Sequence, residues 1–147
     1  MEPTMESKAK SFDWGGGLDV YTFAQILEMD EPGDCEFSHD IVFDFLDQAE
    51  ETFRDIQVNL ENKDLTKLSS LGHFLKGSSA TLGLIKVRDG CEKIQQYGKM
   101  MNPDNSPEPD QKVCLARIED AYQEVISAYY DIKPRFTQFY EFLDEKD

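Results

Sequence analysis

The run from His73 to Ser79, His-Phe-Leu-Lys-Gly-Ser-Ser, sets an imidazole, an ammonium and a glycine within little more than one helical turn. A helix advances about 100° per residue. Leu68, Leu71, Leu75, Ser78, Ser79, Leu82 and Ile85 then share one broad face, which the spacing predicts to be the core side. His73 falls opposite, on a stripe with Gly77 and Ala80, and Lys76 flanks it. A glycine inside a helix costs about 1 kcal/mol relative to alanine. Beside an outward-facing histidine, the missing side chain leaves room for another molecule to reach the ring. A lysine one turn away does not help an imidazole hold a proton, but it does help hold a phosphoryl group that the imidazole is receiving. Downstream, Val87, Cys91, Ile94 and Met101 make a second apolar stripe. Gln95 stands at its edge, with Lys99 one turn later on the same flank. A glutamine in that place can hydrogen-bond a neighbouring imidazole and leave the other ring nitrogen free to react.

The elements that position these residues are helices almost throughout. Residues 1–17 are polar and end in three glycines, which predicts a mobile tail ahead of a single domain over 18–147. Asp19 is a candidate N-cap for a first helix reaching about Met29, and the sequence Asp-Glu-Pro-Gly-Asp breaks it. Ser38 is a candidate cap for the second helix, whose stripe is Val42, Phe45, Leu46, Ala49, Phe53, Ile56 and Leu60. Asp64 opens a third, closed by Gly83 at its C-terminal end. A fourth is predicted over Lys86–Met101, and a last one from near Asp110, interrupted or kinked at Pro134. Short links between amphipathic helices predict an all-α fold, an up-and-down antiparallel four-helix bundle with one additional N-terminal helix.

The chain has 147 residues, with 30 acidic against 15 basic side chains and a formal charge of −15. Such a surface repels phosphate backbones and anionic membranes and favours a monomer. No secretory signal or bilayer-spanning run is expected. The three cysteines are scattered without metal-ligand spacing, so reduced thiols and no metal site are expected. No phosphate-binding glycine loop is present, so no ATP-dependent kinase activity is expected.

On the first helix, Thr22, Gln25, Ile26 and Met29 lie away from the predicted core stripe. On the second, Ile41, Asp44 and Gln48 do the same. A docking patch and a scatter of ordinary exposed apolar residues both fit this spacing.

The run from His73 to Leu84, with the Cys91–Lys99 segment and the upstream helices, resembles the histidine-containing phosphotransfer (HPt) domain family, most of all its fungal osmosensing relay members, over roughly residues 18–101. The resemblance implies a helical bundle whose exposed histidine takes a phosphoryl group from the aspartyl phosphate of a hybrid histidine kinase receiver domain. It then passes the group to a response-regulator receiver. His73 would be the acceptor, Lys76 the phosphoryl-stabilising charge, Gly77 the clearance, and Gln95 the orienting group. Ser78 would contribute near the site, and Lys99 would add supporting charge. Ile26, Met29, Phe37 and Ile41 would form the receiver-docking surface. No cofactor is implied for this chain, magnesium is expected on the partner receiver, and cytoplasmic and nuclear locations are implied. Asp89 stands where a relative has an aromatic on its docking face. The competing possibilities are a receiver-binding adaptor without transfer, a structural bundle with an idle histidine, and a metalloenzyme. The last has only His39 as a second histidine.

Overall fold

The computed structural model describes residues 4–144, and among them there are six helices and no strand. They are α1 (Met5–Ser11), α2 (Val20–Leu27), α3 (Glu36–Glu61), α4 (Leu65–Leu82), α5 (Ile85–Gly98) and α6 (Gln111–Asp144). The packed pairs α3–α4, α4–α5, α5–α6 and α3–α6 close a four-helix bundle, and α2 packs on α1 and α4. The bundle is the predicted up-and-down one, and α2 is its predicted extra helix.

Local chemistry explains several helix ends. The Asp19 carboxylate accepts from the amides of Tyr21 and Thr22, and Asp64 accepts from that of Lys67. Gly83 closes α4 with a left-handed φ of 85°. Its carbonyl accepts from Asp19 N at 2.7 Å, and a Cβ there would lie 2.6 Å from the Asp19 carbonyl oxygen. One glycine therefore ends α4 and lets the start of α2 sit directly against it.

Four expectations are corrected. Of the predicted mobile tail over 1–17, residues 1–3 lie outside the described residues, and residues 4–17 are not loose. Ala9 and Trp14 are buried, and the Trp14 indole N–H donates to the Ala9 carbonyl at 2.8 Å. The Arg135 guanidinium on α6 donates to the Asp13 carbonyl at 2.8 Å. The polar composition of this stretch hides two aromatic anchors. Ser38 does not cap α3: the helix starts at Glu36, and Ser38 is fully buried with its side chain on Asp30 and Tyr140. Of the two alternatives at Pro134, interruption is the one overturned: α6 runs through it. Tyr130, whose carbonyl loses its donor, and Pro134 are both on the exposed side, where water replaces that donor. Finally, α5 ends at Gly98 and not at Met101, because Met100 adopts a φ of 60°.

The cysteines are free thiols. Burial pushes the Cys91 thiol up to about 12, so it acts as packing and not as a nucleophile.

Candidate phosphoacceptor site

His73 is exposed in the middle of α4. Its Nδ1 lies 3.2 Å from Nε2 of Gln95 on α5, so the two residues that the sequence placed on neighbouring helices meet. A neutral imidazole has one donor and one acceptor nitrogen. With Nδ1 engaged by Gln95, Nε2 is the nitrogen left for an incoming group. For Nε2 to carry the reactive lone pair, Nδ1 must carry the proton and needs an acceptor. The Gln95 amide supplies one after a half-turn that exchanges Nε2 with Oε1, an atom otherwise buried without a partner.

Small residues hold the pair at this separation. Ser69 Oγ donates to the Gln95 carbonyl at 2.9 Å. A Cβ on Gly72, next to His73, would lie 2.8 Å from Gln95 N and 2.9 Å from the Cys91 carbonyl oxygen. A Cβ on Gly98 would lie 2.7 Å from Ser69 N. The two helices therefore meet backbone to backbone directly behind the imidazole. The sequence analysis passed over Ser69, Gly72 and Gly98; their signal was small residues in register on consecutive helices.

Gly77 is the opposite case. A Cβ there would meet nothing within 4 Å, so nothing within the described protein requires glycine. The open space agrees with the expected role of clearance for a second molecule, which a substitution tests. Gly77→Ala is expected to raise helix stability by about 0.5–1 kcal/mol. It should also slow phosphoryl transfer from a receiver. Thermal melting beside a transfer assay checks both, and unchanged or faster transfer would remove this explanation of the glycine.

Lys76 is half-buried one turn after His73, and Lys99 is exposed as the residue that caps the end of α5. Among the described residues neither side chain is held in an ion pair, so both charges are available to an anion. Ser78 turns its hydroxyl to the Phe74 carbonyl of its own helix at 3.3 Å and is not brought to His73.

The expected docking residues divide. Met29 and Phe37 are 65% and 48% exposed. Gln25, Asp44 and Gln48 are exposed, Thr22 and Ile41 half-buried. The Thr22 hydroxyl donates to Asp19 at 3.0 Å, and Ile41 packs against the core. Ile26 is a correction: it is 6% exposed and belongs to the core cluster. Because α2 is covered by both α1 and α4, it buries more of its circumference than a helix with one partner. Phe74, which the sequence analysis overlooked, follows His73 in the chain and is 50% exposed. The Asp89 carboxylate is paired with Arg88 at 2.9 Å.

A family model described as "Hpt domain" matches residues 40–128. The chain is 46% identical over 125 residues to multistep phosphorelay regulator 1 of Schizosaccharomyces pombe, which covers 84% of this chain and 42% of the relative. It is 47% identical over 100 residues to phosphorelay intermediate protein YPD1 of Candida albicans, covering 68% and 54%. The chain thus spans about half the length of the curated relatives it matches. Among solved structures, it superposes with a TM-score of 0.74 and 29% identity on the histidine phosphotransfer signalling protein Ypd1 of Saccharomyces cerevisiae. That protein is in a co-crystal with the receiver domain of its downstream response regulator Ssk1, and the match covers 85% of this chain and 95% of that one. The matched stretch takes in most of the four bundle helices together with His73 and Gln95, and the chain belongs to the Hpt domain family.

Proposed function

We propose that this protein is a phosphorelay intermediate: it accepts a phosphoryl group on His73 from the aspartyl phosphate of a hybrid histidine kinase receiver domain and passes it to the aspartate of a response-regulator receiver. One observation carries the proposal. An exposed imidazole is held through Nδ1 by Gln95, with open space at Gly77 one turn away.

The chemistry follows from that geometry. Nε2 attacks phosphorus in line with the carboxylate oxygen that leaves. A P–N bond forms, the acyl P–O bond breaks, and the electron pair departs with the receiver's aspartate. The ring becomes cationic as it bonds phosphorus, and Nδ1–H donating to Gln95 steadies that form. Lys76 and Lys99 bring positive charge toward the transferring oxygens without covalent involvement. Both end states are high-energy phosphates, so the second transfer is the first in reverse on a different receiver. We assign the divalent ion of the reaction to the receiver, where it offsets phosphoryl charge. Receiver binding falls to the exposed apolar residues around the site, Met29, Phe37 and Phe74. The Ypd1 co-crystal with a receiver domain supports a partner of this class.

The test is transfer of radiolabelled phosphate from a purified, phosphorylated receiver domain to this protein. Label that is stable in alkali and lost in acid is the expected result, as a phosphoramidate bond requires. A receiver that binds but never gives up its label would make the protein an adaptor instead.

A further inference from the structure

Met29 lies in the segment joining α2 to α3, and Phe37 lies just beyond it in the first turn of α3. The next residue in each case, Asp30 and Ser38, is part of a hydrogen-bonded chain. Ser38 N donates to Asp30 Oδ1 at 2.7 Å, and Ser38 Oγ donates to Asp30 Oδ2 at 2.6 Å. The Ser38 oxygen in turn accepts from the Tyr140 hydroxyl, on α6, at 2.7 Å. Ser38 is fully buried and Tyr140 is 4% exposed, with the Phe139, Phe43 and His39 rings around the phenol. Burial pushes the Tyr140 phenol well above its ordinary value, so it stays a donor throughout the neutral range.

The Ser38 hydroxyl has one proton and two acceptors within reach. Besides Asp30 there is the Cys35 carbonyl of its own helix, at 3.3 Å. Helical serines commonly turn to such a carbonyl. Donation from Tyr140 fills a lone pair on the oxygen and leaves its proton to Asp30. The intervening loop, through Pro32 and Gly33, is exposed, and Gly33 has a φ of 79°. Cys35, at the end of the segment, packs against the core as well.

We propose that Tyr140 is a positioning residue for receiver docking, holding Met29 and Phe37 in place through Ser38 and Asp30; this rests on the docking role assigned to those two residues above. A hydroxyl from the last helix thus sets a surface formed near the start of the domain. It does not touch the transferring group.

The test compares the wild type with Tyr140→Phe, Ser38→Ala, their combination, and a Met29→Ala/Phe37→Ala control. Two rates are followed: transfer from a phosphorylated receiver as its concentration is varied, and labelling of His73 by phosphoramidate with no receiver present. Tyr140→Phe is expected to raise the half-saturating receiver concentration about five-fold, the size of one lost hydrogen bond. The rate at saturation and the phosphoramidate rate should stay within about two-fold. Ser38→Ala should behave alike, and the combination should add nothing further, since both remove one chain. An unchanged half-saturation overturns the proposal. So does an equal loss in the phosphoramidate reaction, which would mean general loosening. If the Met29/Phe37 control alone raises half-saturation, only the role of Tyr140 falls. If that control has no effect, the docking assignment falls, and this proposal with it.

Discussion

His73→Gln is expected to bring phosphoryl acceptance from a receiver below detection while changing receiver affinity by no more than about two-fold. The substitution removes the nucleophile and little else. His73 is exposed, and among the described residues its one side-chain hydrogen-bond partner is Gln95. A glutamine at position 73 keeps a polar group of similar reach, so the helix loses no packing. The other imidazole, His39, stacks on the Phe43 ring with centroids 4.4 Å apart and belongs to a different helix. Measurement of label transfer beside receiver binding for both proteins checks the expectation. Acid-labile label on His73→Gln would move the acceptor to His39, while equal loss of binding would show that the imidazole is part of the docking surface and leave the acceptor unassigned.

Trp14→Ala is expected to cost about 3–5 kcal/mol of folding free energy, the range for large aromatic truncations in a core. At about 2–4 °C per kcal/mol for a domain of this size, the melting temperature should fall by roughly 10 °C. Trp14 is 6% exposed. Its ring lies 4.7 Å from that of Phe12, 5.5 Å from Phe23, 5.2 Å from Phe136 and 5.1 Å from Phe139. It therefore joins the N-terminal segment, α2 and α6 in one aromatic cluster. Truncation leaves a cavity among four rings and an Ala9 carbonyl without its indole donor. Thermal unfolding followed by far-ultraviolet circular dichroism checks this. An unchanged melting temperature would mean that residues 4–17 contribute nothing to the fold, as their composition suggested.

These two residues mark what could and could not be read from the sequence. His73 and Gln95 lie on regular amphipathic helices, where angular position follows from spacing, so their facing was legible, while their contact needed the packing of α4 on α5. The caps at Asp19, Asp64 and Gly83 were legible too, since each is decided within a few residues. Trp14 was not, because a short polar segment gives no periodicity and two of its ring partners, Phe136 and Phe139, lie more than a hundred positions away on α6. Ser38 has the composition of a cap, but partners from Asp30 and Tyr140 outweighed that local preference. Ile26 failed for a related reason: helical phase gives the direction of a side chain but not how many neighbours surround the helix. The exposed position of Gly77 followed from its stripe, while Gly72 needed knowledge of how closely α5 approaches.

That close approach has a consequence for the fidelity of signalling. Helix α4 contains Gly72 and Gly77, and α5 contains Gly90 and Gly98. Each costs about 1 kcal/mol of intrinsic helicity, and helices of 18 and 14 residues are marginal alone in water. Each is steadied by its packing, and two of the glycines that weaken them singly, Gly72 and Gly98, are those that let them join. His73 is on one and Gln95 on the other, so the oriented imidazole exists only while both are docked. A nascent, damaged or partly opened copy presents an ordinary flexible histidine. On the proposed function, competence to accept a phosphoryl group is thereby tied to completed folding, and defective copies would drop out without withdrawing phosphoryl groups.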